Sequence, residues 1–152
     1  MCTGIKIDYK DGCVMGRTMD YEIPLKYNAI YLPIEYNYCL DLMDKPLYSR
    51  YKTLGMCFEN RDPLKDGVNE HGLIGITNEF SGFNLFSNEV KPDKINISSL
   101  HYLTYALSNY KSVEELVEDL PNIHISTKDY KGENVISPDF HYMFADSTKR
   151  CV

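Results

Sequence analysis

The feature that most limits the possible folds of this chain is the order of its predicted strands and helices. Residues 2–9, which read CTGIKIDY, alternate apolar and polar side chains, and the turn sequence KDG leads into a second strand-like stretch at residues 13–21. More strand patterns follow before any helix, and others come after the helices. Strands grouped on both sides of a helical segment predict an α+β fold rather than alternating βαβ units.

Two consecutive stretches carry helix signals. Residues 98–110 place leucines at the spacing of one helix face. The next stretch begins with Ser112, and Glu115 follows three positions later, which is the sequence signature of a capping box. Near the end, the turn sequence DSTKR predicts the start of a further strand at Cys151.

Composition excludes several classes of function. The 152 residues suffice for one domain, and we take residues 1–152 as a single domain. The net charge is −6 and Lys and Arg do not cluster, which argues against nucleic acid as a partner and against a basic membrane patch. Apolar runs are too short for a transmembrane helix, and the charged N-terminal stretch is unlike a signal peptide, so we expect a cytoplasmic protein.

The cysteines and histidines predict neither a disulfide framework nor a metal site. Five cysteines form an odd set without CxxC spacing, and the four histidines are scattered. We therefore expect no metal and no cofactor. Four cysteines are interpreted as structural thiols: Cys13, Cys39, Cys57 and Cys151. The remaining one, Cys2, requires a different explanation.

Cys2 becomes the first residue of the chain once Met1 is removed. Its thiol then lies beside a free α-amino group, whose unperturbed pKa of about 7.7–8.0 allows it to accept the thiol proton. A nearby arginine favours the thiolate, and a nearby carboxylate can orient the ammonium group. Arg17 and Asp20 lie on the second arm of the predicted hairpin. Because a regular strand would turn them to opposite sides, their convergence requires a bend around residues 18–20.

Simpler interpretations of these three residues are also open. Cys2 is alternatively an ordinary buried cysteine that only packs. Arg17 and Asp20 alternatively form a surface ion pair, which contributes little to stability.

Several motifs together resemble the choloylglycine hydrolase family, which contains bile salt hydrolases and penicillin V acylases. They are MCTGI at the start, GRTMDYE after the hairpin turn, NEHGL followed by FSGF, and ISPDFHYMFADSTKR near the end. The likeness runs in order across nearly the whole sequence, and its most specific part is Cys2 combined with the GRTMDYE block. It implies the fold of the N-terminal nucleophile hydrolases, an αββα sandwich, of which this chain would supply about half.

The resemblance also implies roles for individual residues. Cys2 is the nucleophile that attacks a carboxamide with its α-amine as base, Arg17 favours the thiolate, and Asp20 positions the amine. Bile salt hydrolases have an oxyanion-hole asparagine after the GL strand; ungapped alignment puts Glu79 at that position and Asn78 one residue earlier. Because a carboxylate would repel an oxyanion, Asn78 is the predicted donor, and a small bulge could bring it into position. Asn78 is alternatively a turn or strand-end residue.

The implied substrate is a small-molecule N-acyl amide, such as a conjugated bile salt or penicillin V, cleaved through a thioester on Cys2. Met19, Ile23 and Phe58 are candidates for an apolar acyl pocket by their approximate position. Family members are roughly twice as long, and their second half supplies further active-site residues. The alternatives are a truncated, non-catalytic homologue that binds small acyl ligands, and a chain that needs a complementing C-terminal half. Association of this chain with copies of itself in a homo-oligomer is a further alternative.

Overall fold

The computed structural model describes residues 2–20, 24–38, 46–59 and 63–152. Ile23 and Cys39, which the sequence analysis named, lie outside the described residues. The elements in chain order are β1 (Gly4–Tyr9), β2 (Gly12–Arg17), β3 (Tyr27–Leu32), β4 (Asn37–Tyr38), β5 (Leu47–Tyr48), β6 (Thr53–Phe58), β7 (Leu64–Asn69), β8 (Ile74–Glu79), β9 (Ile95–Ile97), α1 (Ser99–Asn109), α2 (Val113–Asp119), a 3₁₀ turn (Leu120–Asn122), β10 (Ile123–Ile125) and β11 (Phe140–Ala145).

The centre of the structure is an antiparallel five-stranded sheet with the strand order β11-β8-β7-β6-β3. Helix α1 covers one face of this sheet, where Leu103 and Leu107 join Leu64 and Phe144 in the apolar core. We call this face the helix side. The mixture of strands and helices in this order confirms the predicted α+β class.

The hairpin predicted at the N-terminus is present and approaches the other face of the sheet, the hairpin side. β1 and β2 pair antiparallel, with Gly4 opposite Arg17. A Cβ atom added to Gly4 would lie 2.7 Å from Ile76 Cδ1 and 3.1 Å from Asn78 Nδ2. The missing side chain of this glycine therefore allows the start of β1, two residues after Cys2, to lie against β8.

Both predicted helices are confirmed, and the cap of α2 follows its sequence signature in part. The Ser112 hydroxyl accepts a hydrogen bond from the Glu115 N–H at 3.2 Å, whereas the Glu115 carboxylate accepts from the Lys111 N–H at 2.9 Å. Within the described residues, neither helix has the length and apolarity needed to cross a bilayer.

The strand predicted after the DSTKR turn is confirmed as a short return beside β11. Phe144 and Val152 exchange two backbone hydrogen bonds of 2.8 and 3.0 Å, and Ala145 forms an antiparallel bridge with Cys151.

A pair of glycines lets β6 and β7 approach closely. A Cβ atom added to Gly55 would collide with the carbonyl oxygen of Asp66 and lie 3.2 Å from Gly67 Cα. We expect Gly55→Ala to lower the free energy of unfolding by about 1–3 kcal/mol, the usual effect of overpacking an interior. Gly16→Ala is the control, because a Cβ atom added there meets nothing within 4 Å. Urea unfolding measures both variants, and equal losses of stability would contradict the prediction.

Candidate active site

A short chain of hydrogen bonds connects the residues around Cys2. Thr3 N donates to Thr18 Oγ1 at 3.0 Å and Thr18 N donates to Thr3 O at 2.9 Å, so the two arms remain paired beyond the ends of β1 and β2. Thr18 Oγ1 donates to Asp20 Oδ2 at 3.0 Å. The Asp20 carboxylate is therefore tied to the strand that begins beside Cys2, which is a half-buried free cysteine. β2 ends at Arg17, so residues 18–20 lie outside the regular strand.

Arg17 lies between the hairpin and the sheet. Its side chain is only 4% exposed, its Nη1 donates to Thr77 O at 2.8 Å, and its Nε lies 3.5 Å from Asp66 Oδ2. The alternative of a surface ion pair with Asp20 is therefore wrong, because the guanidinium is buried and pairs with Asp66. Nε and Nη2 have no hydrogen-bond acceptor among the described residues. Within the same ranges, no hydrogen bond or ion pair joins Arg17 to Cys2.

Asp66 is a residue that sequence reasoning missed. Burial raises the pKa of Asp66, while the neighbouring Arg17 guanidinium acts in the opposite direction. Asp66 and Gly67 form a dipeptide that is typical of turns, yet both lie inside β7. The ion pair joins positions far apart in the chain, so the sequence alone carries no signal for it.

Strand β8 separates Asn78 from Glu79. Asn78 is on the hairpin side, next to Gly4, and its Oδ1 is buried without a donor among the described residues. Glu79 instead lines an apolar pocket on the helix side, together with Phe140. β8 and β11 pair in one continuous register, so the small bulge suggested for Asn78 is absent from this pairing. The ordinary alternation of a strand turns Asn78 to the hairpin side and Glu79 to the helix side.

His141 is a second residue that sequence reasoning missed. It lies directly opposite Asn78 in the pairing of β8 and β11, so the two side chains share the hairpin side of the sheet. Its Nδ1 is buried and has no hydrogen-bond partner in the described part of the chain. Its ring stands edge-on to Phe80, with 6.0 Å between the ring centroids. Only the strand pairing reveals this position, because the spacing of the histidines shows no pattern.

Two cavities flank the sheet. One of about 390 Å³ lies on the hairpin side and is lined by Arg17, Met19 and Asp66. The other, of about 300 Å³, lies on the helix side and is lined by Phe58 and Glu79. The two described candidates for an acyl pocket, Met19 and Phe58, therefore belong to different cavities. In the described ranges, no three His, Cys, Asp or Glu side chains are grouped so that they could hold a metal ion.

The hairpin side of the sheet holds a guanidinium and a carboxamide with unpaired polar atoms, while Cys2 and Asp20 lie where the two arms of the hairpin end. Acyl transfer requires a nucleophile together with groups that orient a base and stabilise negative charge.

Solved structures of hydrolases contain the same fold. A mutant conjugated bile acid hydrolase from Clostridium perfringens matches with a TM-score of 0.84 and 31% identity, over 99% of this chain and 46% of that chain. Penicillin V acylase from Agrobacterium tumefaciens gives a TM-score of 0.73 at 16% identity, over 97% of this chain and 44% of that chain. The five-stranded sheet with its helix and hairpin is therefore about half of an N-terminal nucleophile hydrolase sandwich.

The sequence comparison narrows this class to one family. The family model described as linear amide C–N hydrolases, choloylglycine hydrolase family, matches residues 2–152, and the chain belongs to this family. The bile salt hydrolase/transferase of Clostridium perfringens is 32% identical over 155 residues, and the conjugated bile acid hydrolase of Lactobacillus acidophilus is 24% identical over 154 residues. Both alignments include 100% of this chain, but only 47% of the first relative and 48% of the second. The chain therefore spans about half the length of these relatives.

Proposed function

We propose that this chain carries the nucleophile of a cysteine amidohydrolase that cleaves a linear amide C–N bond. The observation that carries the proposal is Cys2, a free, half-buried thiol at the head of β1, with the Asp20 carboxylate tied to its strand through Thr18. Removal of Met1 would place the α-amino group on the same residue as the thiol. Membership of a family of linear amide C–N hydrolases supports this assignment. Residues 1–152 then correspond to the N-terminal part of the family domain.

The proposed reaction proceeds through a thioester. The α-amine takes the thiol proton, the sulfur attacks the amide carbon, and the carbonyl oxygen becomes an oxyanion. The protonated amine then gives its proton to the leaving nitrogen as the C–N bond breaks, so that a free amine departs and the acyl group stays on Cys2. Water, deprotonated by the same amine, cleaves the thioester and releases a carboxylic acid.

Three further residues assist in this proposal. Asp20 orients the ammonium group, because its carboxylate is held beside the first strand. Arg17 supplies positive charge on the hairpin side, where its unused N–H groups favour the thiolate or an anionic intermediate. Asn78 is the oxyanion donor, since it faces the hairpin side whereas Glu79 faces away from it.

The proposed substrate is a small-molecule N-acyl amide. Relatives are named for bile salts and conjugated bile acids, and one structural neighbour is a penicillin V acylase, so these compounds are tested first. We expect the protein without Met1 to release an amine from glycocholate, taurocholate or penicillin V. Mass spectrometry detects the amine, the acyl adduct on Cys2 and the processed N-terminus. A correctly processed protein that gives neither product nor adduct would overturn the proposal for the isolated chain.

A second candidate function is favoured by one surface of the hairpin. Ile5, Ile7, Tyr9 and Val14 are each more than half exposed. They lie on the face of the hairpin that points away from the sheet, because Gly4 faces towards it. A two-stranded hairpin with a bare apolar face is normally covered by further structure. This exposed apolar surface favours a chain that acts only with a complementing C-terminal half. The alignment with the Clostridium perfringens relative, which includes 47% of that protein, favours the same candidate.

The two candidates differ in what the isolated chain does. Under the second, Cys2 is alkylated by iodoacetamide but conjugated bile salts are not hydrolysed. Activity then appears when a polypeptide corresponding to the remaining half of the Clostridium perfringens relative is added. Turnover by the isolated chain would exclude this second candidate.

A further inference from the structure

Two cysteines outside the candidate active site, Cys13 and Cys151, approach each other at one end of the sheet. Cys13 is the second residue of β2, and its Sγ donates to the carbonyl oxygen of Asp146 at 3.4 Å. Cys151 lies in the return strand, where it forms an antiparallel bridge with Ala145, the chain neighbour of Asp146. Both thiols are free. The two cysteines are far apart in the sequence, yet they contact consecutive residues at the end of β11.

The register of the hairpin turns the Cys13 side chain towards the sheet. Gly4 faces the sheet and pairs with Arg17, so Arg17 shares that face of the hairpin. Cys13 lies four residues before Arg17 on the same strand, and even spacing places both side chains on one face. Cys13 also lines the cavity on the hairpin side, together with Ile74 of β8. The hairpin therefore directs this thiol into the space between hairpin and sheet.

The register of the sheet turns the Cys151 side chain into the same space. Ile76 is on the hairpin side of β8, because its Cδ1 lies close to Gly4. Ile74, two residues earlier, shares that side and pairs with Ala145, which in turn pairs with Cys151. Residues directly opposite each other in paired strands point to one face of the sheet, so Cys151 faces the hairpin.

A lysine–aspartate pair lies beside the two thiols. Lys6 and Asp8 form an ion pair on the face of the hairpin that Cys13 shares, since Asp8 is directly opposite Cys13. Burial raises the pKa of Cys151, whereas the Lys6 ammonium group acts in the opposite direction. Cys151 is therefore mainly an uncharged thiol at neutral pH. Because the thiolate is the reacting form, its exchange with disulfides is faster in mildly alkaline solution.

We propose that Cys13 and Cys151 form a reversible disulfide that fastens the hairpin to the sheet. The oxidant is a small-molecule disulfide, for which oxidised glutathione is the probe. The exposed Cys151 attacks it first, which gives a mixed disulfide and releases one reduced glutathione. The half-buried Cys13 then attacks the mixed disulfide and releases the second reduced glutathione. Two electrons and the two thiol protons thus pass from the protein to glutathione.

This disulfide lies outside the chemistry proposed for Cys2 and goes beyond amide hydrolysis. It assigns a role to two cysteines that the sequence pattern indicated only as structural thiols. Because it closes a loop of most of the chain, it removes much conformational freedom from the unfolded state. We expect the urea midpoint of the oxidised protein to exceed that of the reduced protein by roughly 1 M.

Peptide mapping after incubation in glutathione redox buffers at pH 8 tests the proposal. Remaining thiols are alkylated in acid-quenched samples, and mass spectrometry identifies the linked peptides. We expect a Cys13–Cys151 linked peptide that is two hydrogen atoms lighter than its two reduced parts. It should disappear when excess reduced glutathione is restored. The intact mass should remain that of one chain.

Matched variants separate the disulfide from a general effect of oxidation. Cys13→Ser and Cys151→Ser should each show equal urea midpoints in oxidised and reduced buffer, and their reduced midpoints show that they are folded. Cys2→Ser should still form the Cys13–Cys151 link, so a failure of the hydrolase proposal and a failure of this one are distinguishable. Mixed disulfides with glutathione alone, or a link only between two copies of the chain, would overturn the proposal.

Discussion

Replacing Cys2 by serine is expected to reduce amide hydrolysis by roughly a thousandfold or more, the order of loss when a covalent nucleophile is removed. A hydroxyl group is far less acidic than a thiol, so the α-amine cannot generate a comparable nucleophile at neutral pH. The fold should be retained, because Cys2 lies before β1 and has no part in the apolar core. Release of amine from the same substrates, with circular dichroism as the check on folding, measures the effect.

Two controls make the Cys2 prediction specific. Cys151→Ser changes an exposed free thiol near the other terminus and should leave turnover unchanged. A form of the protein that keeps one residue in front of Cys2 should also be inactive, because its α-amine is no longer on the nucleophile. Unchanged turnover in Cys2→Ser would remove the residue on which the proposed mechanism depends. Activity in the extended form would instead contradict the amine as base.

The parts of the fold that are local in sequence were predictable. Alternation in residues 4–17 predicts the hairpin, because a pleated strand turns successive side chains to opposite faces. The leucine spacing predicts α1, and Ser112 marks the start of α2, because a hydroxyl there can accept from an orphan N–H group. The family resemblance then supplied the larger architecture, which pattern alone limits only to α+β.

The contacts of the candidate site were not predictable to the same extent, because they join distant strands. The pairing of Arg17 with Asp66 depends on the hairpin lying over β7, and the neighbourhood of Asn78 and His141 depends on the register of β8 with β11. Position 65 is a sharper case. The bulge at Lys65 decides which side chains of β7 face the cavity on the helix side, and a bulge has no reliable signature in a single sequence.

Asn69, in the NEHGL motif, is expected to be a critical residue for stability. Its Nδ2 donates to Leu107 O at 2.9 Å and to Tyr110 O at 2.7 Å, which are carbonyl groups at the end of α1. Its Oδ1 accepts from His71 N at 3.0 Å and Leu73 N at 3.1 Å, in the turn between β7 and β8. This buried amide therefore uses all four of its hydrogen-bonding positions to join the helix end to the turn.

Asn69→Leu should lower the free energy of unfolding by about 3 kcal/mol, because a side chain of similar size leaves these backbone groups without their partners. Such a loss is a large fraction of the stability of a typical domain, about 5–15 kcal/mol. Asn88→Leu is the matched control, since Asn88 is exposed and should tolerate the change. Urea unfolding measures the global loss of stability, and amide hydrogen exchange at Leu73 shows whether the turn between β7 and β8 opens locally. If the two variants unfold at the same urea concentration, Asn69 does not hold the end of α1 to the sheet.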